Sequence, residues 1–242
     1  AAGANNGTSW ANAYTSLQTA ISASESGDQI WVAEGVYYAA TYIYMKTGVE
    51  VYGGFDGTET LLGSRNWEVN KTILSGDVFH DDVNTDGNNI AESWADIVGS
   101  NADHVVKAVD VGSTARLDGF IITAGSGYSD LGGGGIFNLN SSPQYFNLLI
   151  RGNQGATYGG GMLNMSSSPH LENVVFDSNR VPYSFCAYGG GMFSLYPECS
   201  PTLTGVTFKN NTALMGGGLG MTQGSVNMDN VTFINNSTIN EG

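Results

Sequence analysis

Asp82, Asn84 and Asp86 alternate along the chain, Gly87 follows, and Asn88 and Glu92 close the stretch. Oxygen-bearing side chains at this spacing suit the ligation of a hard divalent cation. A loop that turns at a glycine aims every second side chain inward, and Ca²⁺ takes roughly six to eight oxygen ligands. Asp82, Asn84, Asp86, Asn88 and Glu92 are therefore the candidate Ca²⁺ ligands, with Asp56, Asp77 and Asp81 near enough in sequence to complete a shell. The competing reading is a solvated loop of Asx-turns. From Asp56 to Asp96 there are nine acids and two bases, Arg65 and Lys71, within a chain of formal net charge −14. Such a chain is repelled by nucleic acid and by anionic membranes, and its natural charged partners are cations.

The loop resembles the front half of an EF-hand-type loop. It departs at the end, because Ser93 stands where the closing acid is expected and Glu92 comes one place early. Other chemistries have less support. There is no nucleophile elbow, zinc-finger spacing or phosphate loop. A glycosidase needs two carboxylates facing each other across a cleft, and Glu172, Asp177, Glu198 and Asp229 do not gather at one position of the repeat described below. His80, His104 and His170 are far apart in sequence. His80 is placed to join the acidic loop, and His170 is expected on an outward strand position.

The elements that must position these residues come from a repeat. GGGIFN at 133–138, GGGMLN at 159–164, GGGMFS at 189–194 and GGGLGM at 216–221 each precede a polar turn, an apolar alternation and an Asn. The anchors Ile150, Phe176, Phe208 and Phe233 are spaced by 26, 32 and 25 residues. Within a unit the period is two: Val174 and Phe176, Val206 and Phe208, Val231 and Phe233 alternate with polar or outward residues. That is strand spacing with one buried face. Three short strands per unit, stacked about 4.8 Å apart, make a parallel β-helix in which like residues lie on like. Asn173 and Asn230 suit a sharp corner that needs the left-handed conformation. Asn153, Asn179, Asn211 and Asn236 are expected to form an amide ladder. Arg151, Asp177 and Lys209 hold equivalent positions and predict an ion-pair ladder.

The FDSN, FKNN and FINN elements, with IRGN as a degenerate copy, together with the GGG element, resemble repeats of the polymorphic outer-membrane protein type. Those are right-handed β-helices of the pectate-lyase-like superfamily. The likeness covers roughly the second half of the chain and departs from that pattern in a third Gly where Ala is usual. It implies an all-β, right-handed parallel β-helix, secreted or displayed on a bacterial cell surface. It fixes no activity, because the fold carries adhesins, lyases and hydrolases alike. GDQIWVAEGVY followed by GGFDGTET resembles the opening of many secreted bacterial β-helix proteins.

Three regions are expected. Residues 1–27 form an N-terminal cap with a short helix carrying Leu17, Ala20 and Ile21 on one face, started by Thr15 or Ser16. Trp10 is assigned to this lid. Residues 28–125 form irregular early turns, with strands near 28–33, 41–45, 49–52, 72–74, 104–109, 115–117 and 120–123, and long loops at 56–71 and 77–103. Residues 126–242 form the regular repeats. Cys186 and Cys199 fall in the longest repeat and either form a disulfide or remain thiols. The chain stops where another GGG strand is due and shows no closing cap. A longer native chain, or self-association through that end, is therefore expected.

A binding surface needs less than a catalytic one. Phe137, Leu163 and Phe193 occupy one position of the GGG strand, beside Ile136, Met162, Met192 and Leu219. Only one column can point inward. The Ile/Met/Leu column is the core candidate, which leaves Phe137, Leu163 and Phe193 as a contact surface for polysaccharide or protein, unless loops cover it. The function expected is a structural or adhesive β-helix, calcium-stabilised. The alternative is a polysaccharide-active lyase or hydrolase, or its non-catalytic relative. No segment for membrane insertion is evident.

Overall fold

The computed structural model describes residues 3–39, 41–127, 131–182 and 186–239. Its strands stack into three long parallel sheets that wrap an apolar column, with two further two-stranded parallel sheets among the described residues. The first sheet runs from Gln29–Ala33 through Glu50–Phe55, Arg116–Asp118, Gln144–Phe146, His170–Glu172 and Thr202–Thr204 to Asn227–Asp229. The second runs from Gly35–Tyr38 through Thr72–Ser75, Ile121–Thr123, Leu149–Arg151, Val175–Asp177 and Thr207–Lys209 to Thr232–Ile234. The third runs from Ile43–Tyr44 through Val106–Val109, Ile136–Leu139, Met162–Met165 and Met192–Leu195 to Leu219–Met221. Each chain turn visits the three sheets in order, which is a parallel β-solenoid. The strand Gly35–Tyr38 is not among those expected from sequence, because Glu34-Gly35 reads as a strand end.

Register follows the repeat. Phe176 pairs with Phe208 and Phe208 with Phe233, and their rings stack with centroids 4.8 and 5.1 Å apart. Ile136, Met162 and Met192 face the core and are fully buried. Asn147, Asn173 and Asn230 adopt positive φ at the corner between the first and second sheets, where Gly119 and Gly205 serve the same purpose. A single left-handed residue turns the chain there, and Asn and Gly bear that conformation at low cost.

The next corner holds the expected amide ladder. Asn153, Asn179 and Asn211 are fully buried. Each Nδ2 donates to the Oδ1 of the Asn one turn on, at 3.0, 3.0 and 2.9 Å, ending on Asn236. Each Nδ2 also donates to a backbone carbonyl of the turn before: Ile122, Ile150 and Phe176 in order. A second buried column, Asn138, Asn164 and Ser194, lies inside the third sheet. Asn138 donates to Asn164 at 2.8 Å, and the buried Tyr145 hydroxyl donates to Asn138 Oδ1 at 2.6 Å.

The third glycine of the two central GGG elements also has a cause. A Cβ on Gly161 would lie 2.6 Å from the Gly191 carbonyl and 3.0 Å from the Phe176 ring. On Gly191 the matching distances are 2.4 Å to the Gly218 carbonyl and 2.9 Å to Phe208. Alanine is disfavoured at both positions because the Phe stack and the neighbouring backbone already fill that space.

The helix is Leu17–Ala23, and the Ser16 hydroxyl accepts from the Thr19 N–H at 3.3 Å. Leu17, Ala20 and Ile21 are its buried face, packed at the first strands. Cys186 and Cys199 are not joined. Cys199 instead continues a serine column: Ser141 Oγ accepts from Val111 N–H, Ser167 Oγ from Ser141 N–H, and Cys199 Sγ from Ser167 N–H. The thiol is directed into the turn, towards the Leu195 carbonyl, and Cys186 is exposed elsewhere.

Candidate cation site and the surfaces around it

The strand Thr72–Ser75 ends at a residue that starts the acidic loop. Ser75 Oγ accepts from the Asp77 N–H, and Asp77 Oδ1 accepts from the Asp81 N–H at 3.1 Å, which folds 77–81 into a tight turn. His80 sits at positive φ with its ring 3.8 Å from that of Tyr38, so the turn is held against Gly35–Tyr38. Asp82 is gripped from the far side of the loop. Its two oxygens accept from the Val98 N–H and from Asn101 Nδ2, both at 2.7 Å. Asn101 Nδ2 also donates to the Ala124 carbonyl.

This turn brings three carboxylates together. One ligand oxygen each from Asp77, Asp81 and Asp82 lie within 4.8 Å of one another. Burial pushes the Asp82 carboxyl up to about 6, against the two hydrogen bonds that lower it, and Asp77 and Asp81 push it further up. Burial and the nearby Asp77 also raise the Tyr38 hydroxyl. Three negative groups this close repel unless one is protonated or a cation lies between them. Asn101 Oδ1, on the amide that binds Asp82, is buried without a hydrogen-bond partner. An acidic, all-oxygen donor set with an orphaned amide oxygen beside it fits Ca²⁺.

The ligand set expected from the alternation is divided. Asp82 groups with Asp77 and Asp81 and is bonded to Val98 and Asn101. Asn84 Nδ2 donates to Asn89 Oδ1, and Asn84 Oδ1 accepts from the Asn89 backbone N–H, both at 3.0 Å. Asn88 Nδ2 donates to Asp86 Oδ2 at 2.7 Å and to Glu92 Oε1 at 2.9 Å, while Asn88 Oδ1 accepts from the Ile90 N–H. Asp86, Asn88 and Glu92 thus satisfy one another in Asx-type turns. Asp56 caps its own turn by accepting from Thr58 and is not part of the cluster.

The expected contact stripe is corrected. Phe137, Leu163 and Phe193 do point outward, yet they are 7, 0 and 1% exposed. Tyr158 stacks on Phe193 at 4.9 Å and Tyr188 lies 5.6 Å away, and both come from the Gly-rich corner loops. His104 covers Phe137 at 4.7 Å, with its Nδ1 2.9 Å from the Gly133 carbonyl. Lys107 lies over the same ring at 5.1 Å. The column is therefore a second, smaller core.

Charged side chains on the second sheet form the expected ladder. Asp177 Oδ2 lies 3.4 Å from Arg151 Nε and 3.4 Å from Lys209 Nζ, and its other oxygen accepts from Ser178 and Asn210. On the first sheet, Asp118 is fully buried and meets Arg65 and Arg116, a network the sequence does not disclose. Glu172 and Asp229 are separated by Thr204 in register, as the repeat requires. His170 lies on an outward position, 3.7 Å from Glu172. No helix of the described residues is long and apolar enough to cross a membrane.

No protein-family model, curated protein or solved structure matches this chain.

Proposed function

We propose that this chain is a secreted or cell-surface scaffold of structural or adhesive type. On this reading it is a right-handed β-helix of the pectate-lyase-like kind, stabilised by Ca²⁺ and presenting a surface to carbohydrate or protein. The observation that carries the reading is the gathering of Asp77, Asp81 and Asp82 where the long acidic loop leaves the stack, beside the orphaned Asn101 oxygen. A Ca²⁺ ion there would offset two of the three negative charges and fasten a loop that spans residues 77–103 to the strand Thr72–Ser75. Asp77, Asp81 and Asp82 would hold it, with the amide of Asn101 at the rim. Extracellular fluids supply Ca²⁺ at concentrations where even weak oxygen sites fill. The two buried carboxylates of the stack are engaged in structure: Asp177 lies between two cations, and Asp118 meets two arginines.

A second reading, a polysaccharide lyase or hydrolase, is favoured by one observation. A carboxyl raised to about 6 beside two further acids is an arrangement also used in acid–base catalysis. One pair of measurements separates the readings. Thermal unfolding in millimolar Ca²⁺ is compared with unfolding in chelator, for the native chain and for Asp82→Asn. In parallel, uronic and neutral polysaccharides are incubated with the protein and assayed for new reducing ends and unsaturated products. A Ca²⁺-dependent rise in melting temperature that Asp82→Asn abolishes, without turnover, is expected. Equal melting with and without Ca²⁺ would remove the cation from the reading, and turnover lost in Asp82→Asn would favour the enzyme.

A further inference from the structure

A cleft lies at the first strand of the stack, lined by none of the residues of the 77–103 loop. It has a volume of about 860 Å³, within the range typical of small-molecule sites. The helix Leu17–Ala23, the short 3₁₀ turn Trp10–Asn12, the strand Gln29–Ala33 and the turn near Glu59 enclose it. The lid over the stack is therefore not flush.

Its walls have a consistent chemistry. Trp10, Tyr14 and Trp31 are aromatic residues of its lining, and all three are half-buried. Trp31 is fixed by stacking on the fully buried Phe55, with centroids 4.9 Å apart and planes 9° from parallel. Trp10 meets Phe55 at 5.4 Å and donates its indole N–H to the Glu59 carbonyl at 2.9 Å. Both indoles are thus held by the scaffold before any ligand arrives, which lowers the ordering cost of binding. Residues 28–33 line the cleft, and the strand Gln29–Ala33 pairs with Glu50–Phe55 on one side only. Its second edge has no strand partner among the described residues, which leaves backbone donors and acceptors available.

The charges decide the ligand class. Asp28 and Glu59 line the cleft, whereas no Lys, Arg or His does. Carboxylates without a compensating cation repel an anionic ligand. Rigid aromatic faces combined with amide, hydroxyl and carboxylate groups match the two sides of a pyranose ring: its apolar C–H face stacks and its hydroxyls form hydrogen bonds. We propose that this cleft is a binding site for a neutral oligosaccharide, with Trp31 as the stacking platform and Trp10 and Tyr14 as flanking contacts. The proposal rests on the carbohydrate-contact reading above and gives it a location and a ligand class. It does not depend on the cation.

The test titrates the native chain with neutral oligosaccharides (β-glucan, mannan, xylan and chitin series) and with oligogalacturonate. Tryptophan fluorescence is followed, and saturation-transfer NMR serves as a second readout. Saturable binding of a neutral series is expected, weakened about tenfold or more in Trp31→Ala, the scale expected for loss of one stacked ring. Tyr14→Ala, at a position outside the core, should weaken it less and serves if Trp31→Ala unfolds. Binding that survives unchanged in both variants would overturn this cleft as the site while leaving carbohydrate contact standing. Binding of oligogalacturonate alone would overturn the neutral class. Absence of binding by every saccharide would overturn the proposal together with the carbohydrate part of the broader reading, and Ca²⁺-dependent melting would then report on the remainder.

Discussion

Arg65 and Asp118, 53 residues apart, form an ion pair at 2.7 Å with side chains 8 and 0% exposed. The same guanidinium donates to the Gly53 and Asp118 carbonyls at 3.0 and 3.1 Å and lies over Tyr52 and Trp67 at 4.9 and 4.8 Å. Arg116 approaches the second carboxylate oxygen through both Nε and Nη2, and Asn147 donates to the first at 2.8 Å. A loop residue thereby pins the segment 56–71 across the outer side of the first sheet. Asp118→Asn leaves the Arg65 charge buried without its partner and is expected to cost about 3–5 kcal/mol. Replacing both by apolar residues of similar volume should cost much less. Denaturant titration of the two variants checks this; equal losses would show that packing, not charge, holds the loop.

The amide ladder predicts a positional effect. Asn179→Ala removes the acceptor for both the backbone N–H and the Nδ2 of Asn153, and the donor to Ile150 and Asn211. Unpaired buried polar groups cost about 1–3 kcal/mol each. The loss at Asn179 should exceed that at Asn236, which is only partly buried and ends the ladder among the described residues. Melting temperatures of the two variants, compared side by side, decide the point.

Gly161→Ala is expected to destabilise, because its methyl meets the Gly191 carbonyl at 2.6 Å and the Phe176 ring at 3.0 Å. Overpacking of this kind costs about 1–3 kcal/mol. Gly57→Ala has open space around it, although its positive φ adds some strain, and is expected to be milder. Chemical denaturation of both variants tests the ranking.

Cys199→Ser should be well tolerated, since serine occupies the same ladder position at Ser141 and Ser167. Cys199→Val should be worse, because the Ser167 N–H loses its acceptor. A retained melting temperature in the serine variant, in oxidant and in reductant alike, would accord with thiols that are not bridged.

Asp82 predicts a pH effect with a definite sign. Its folded carboxyl, at about 6, lies above the ordinary value near 3.9. The group therefore contributes most below about pH 4 and loses that contribution as pH rises through about 6. In metal-free buffer the difference in stability between the native chain and Asp82→Asn should move against the native chain across this window. Ca²⁺ should reverse that trend at neutral pH by favouring the ionised form. Melting curves across the pH range, with and without Ca²⁺, provide the check; a pH-independent difference would count against the raised carboxyl.

The sequence by itself determined the repeat and nearly all that follows from it. In a solenoid, contacts between turns recur at the repeat offset, so aligned residues become stacked neighbours. The Phe176–Phe208–Phe233 stack, the Asn ladder, the ladder of Arg151, Asp177 and Lys209, and the left-handed Asn173 and Asn230 were all legible for that reason. Only the tertiary structure decided what the loops do, because their contacts have no fixed offset. Alternation alone pointed to Asp82 with Asn84, Asp86, Asn88 and Glu92; the grouping of Asp82 with Asp77 and Asp81, and its bonds from Val98 and Asn101, came only with the structure. Alternation likewise showed that Phe137, Leu163 and Phe193 face outward, but not that Tyr158 and Tyr188 cover them. Arg65 meets Asp118, and Trp10 meets Phe55, across separations that no period encodes.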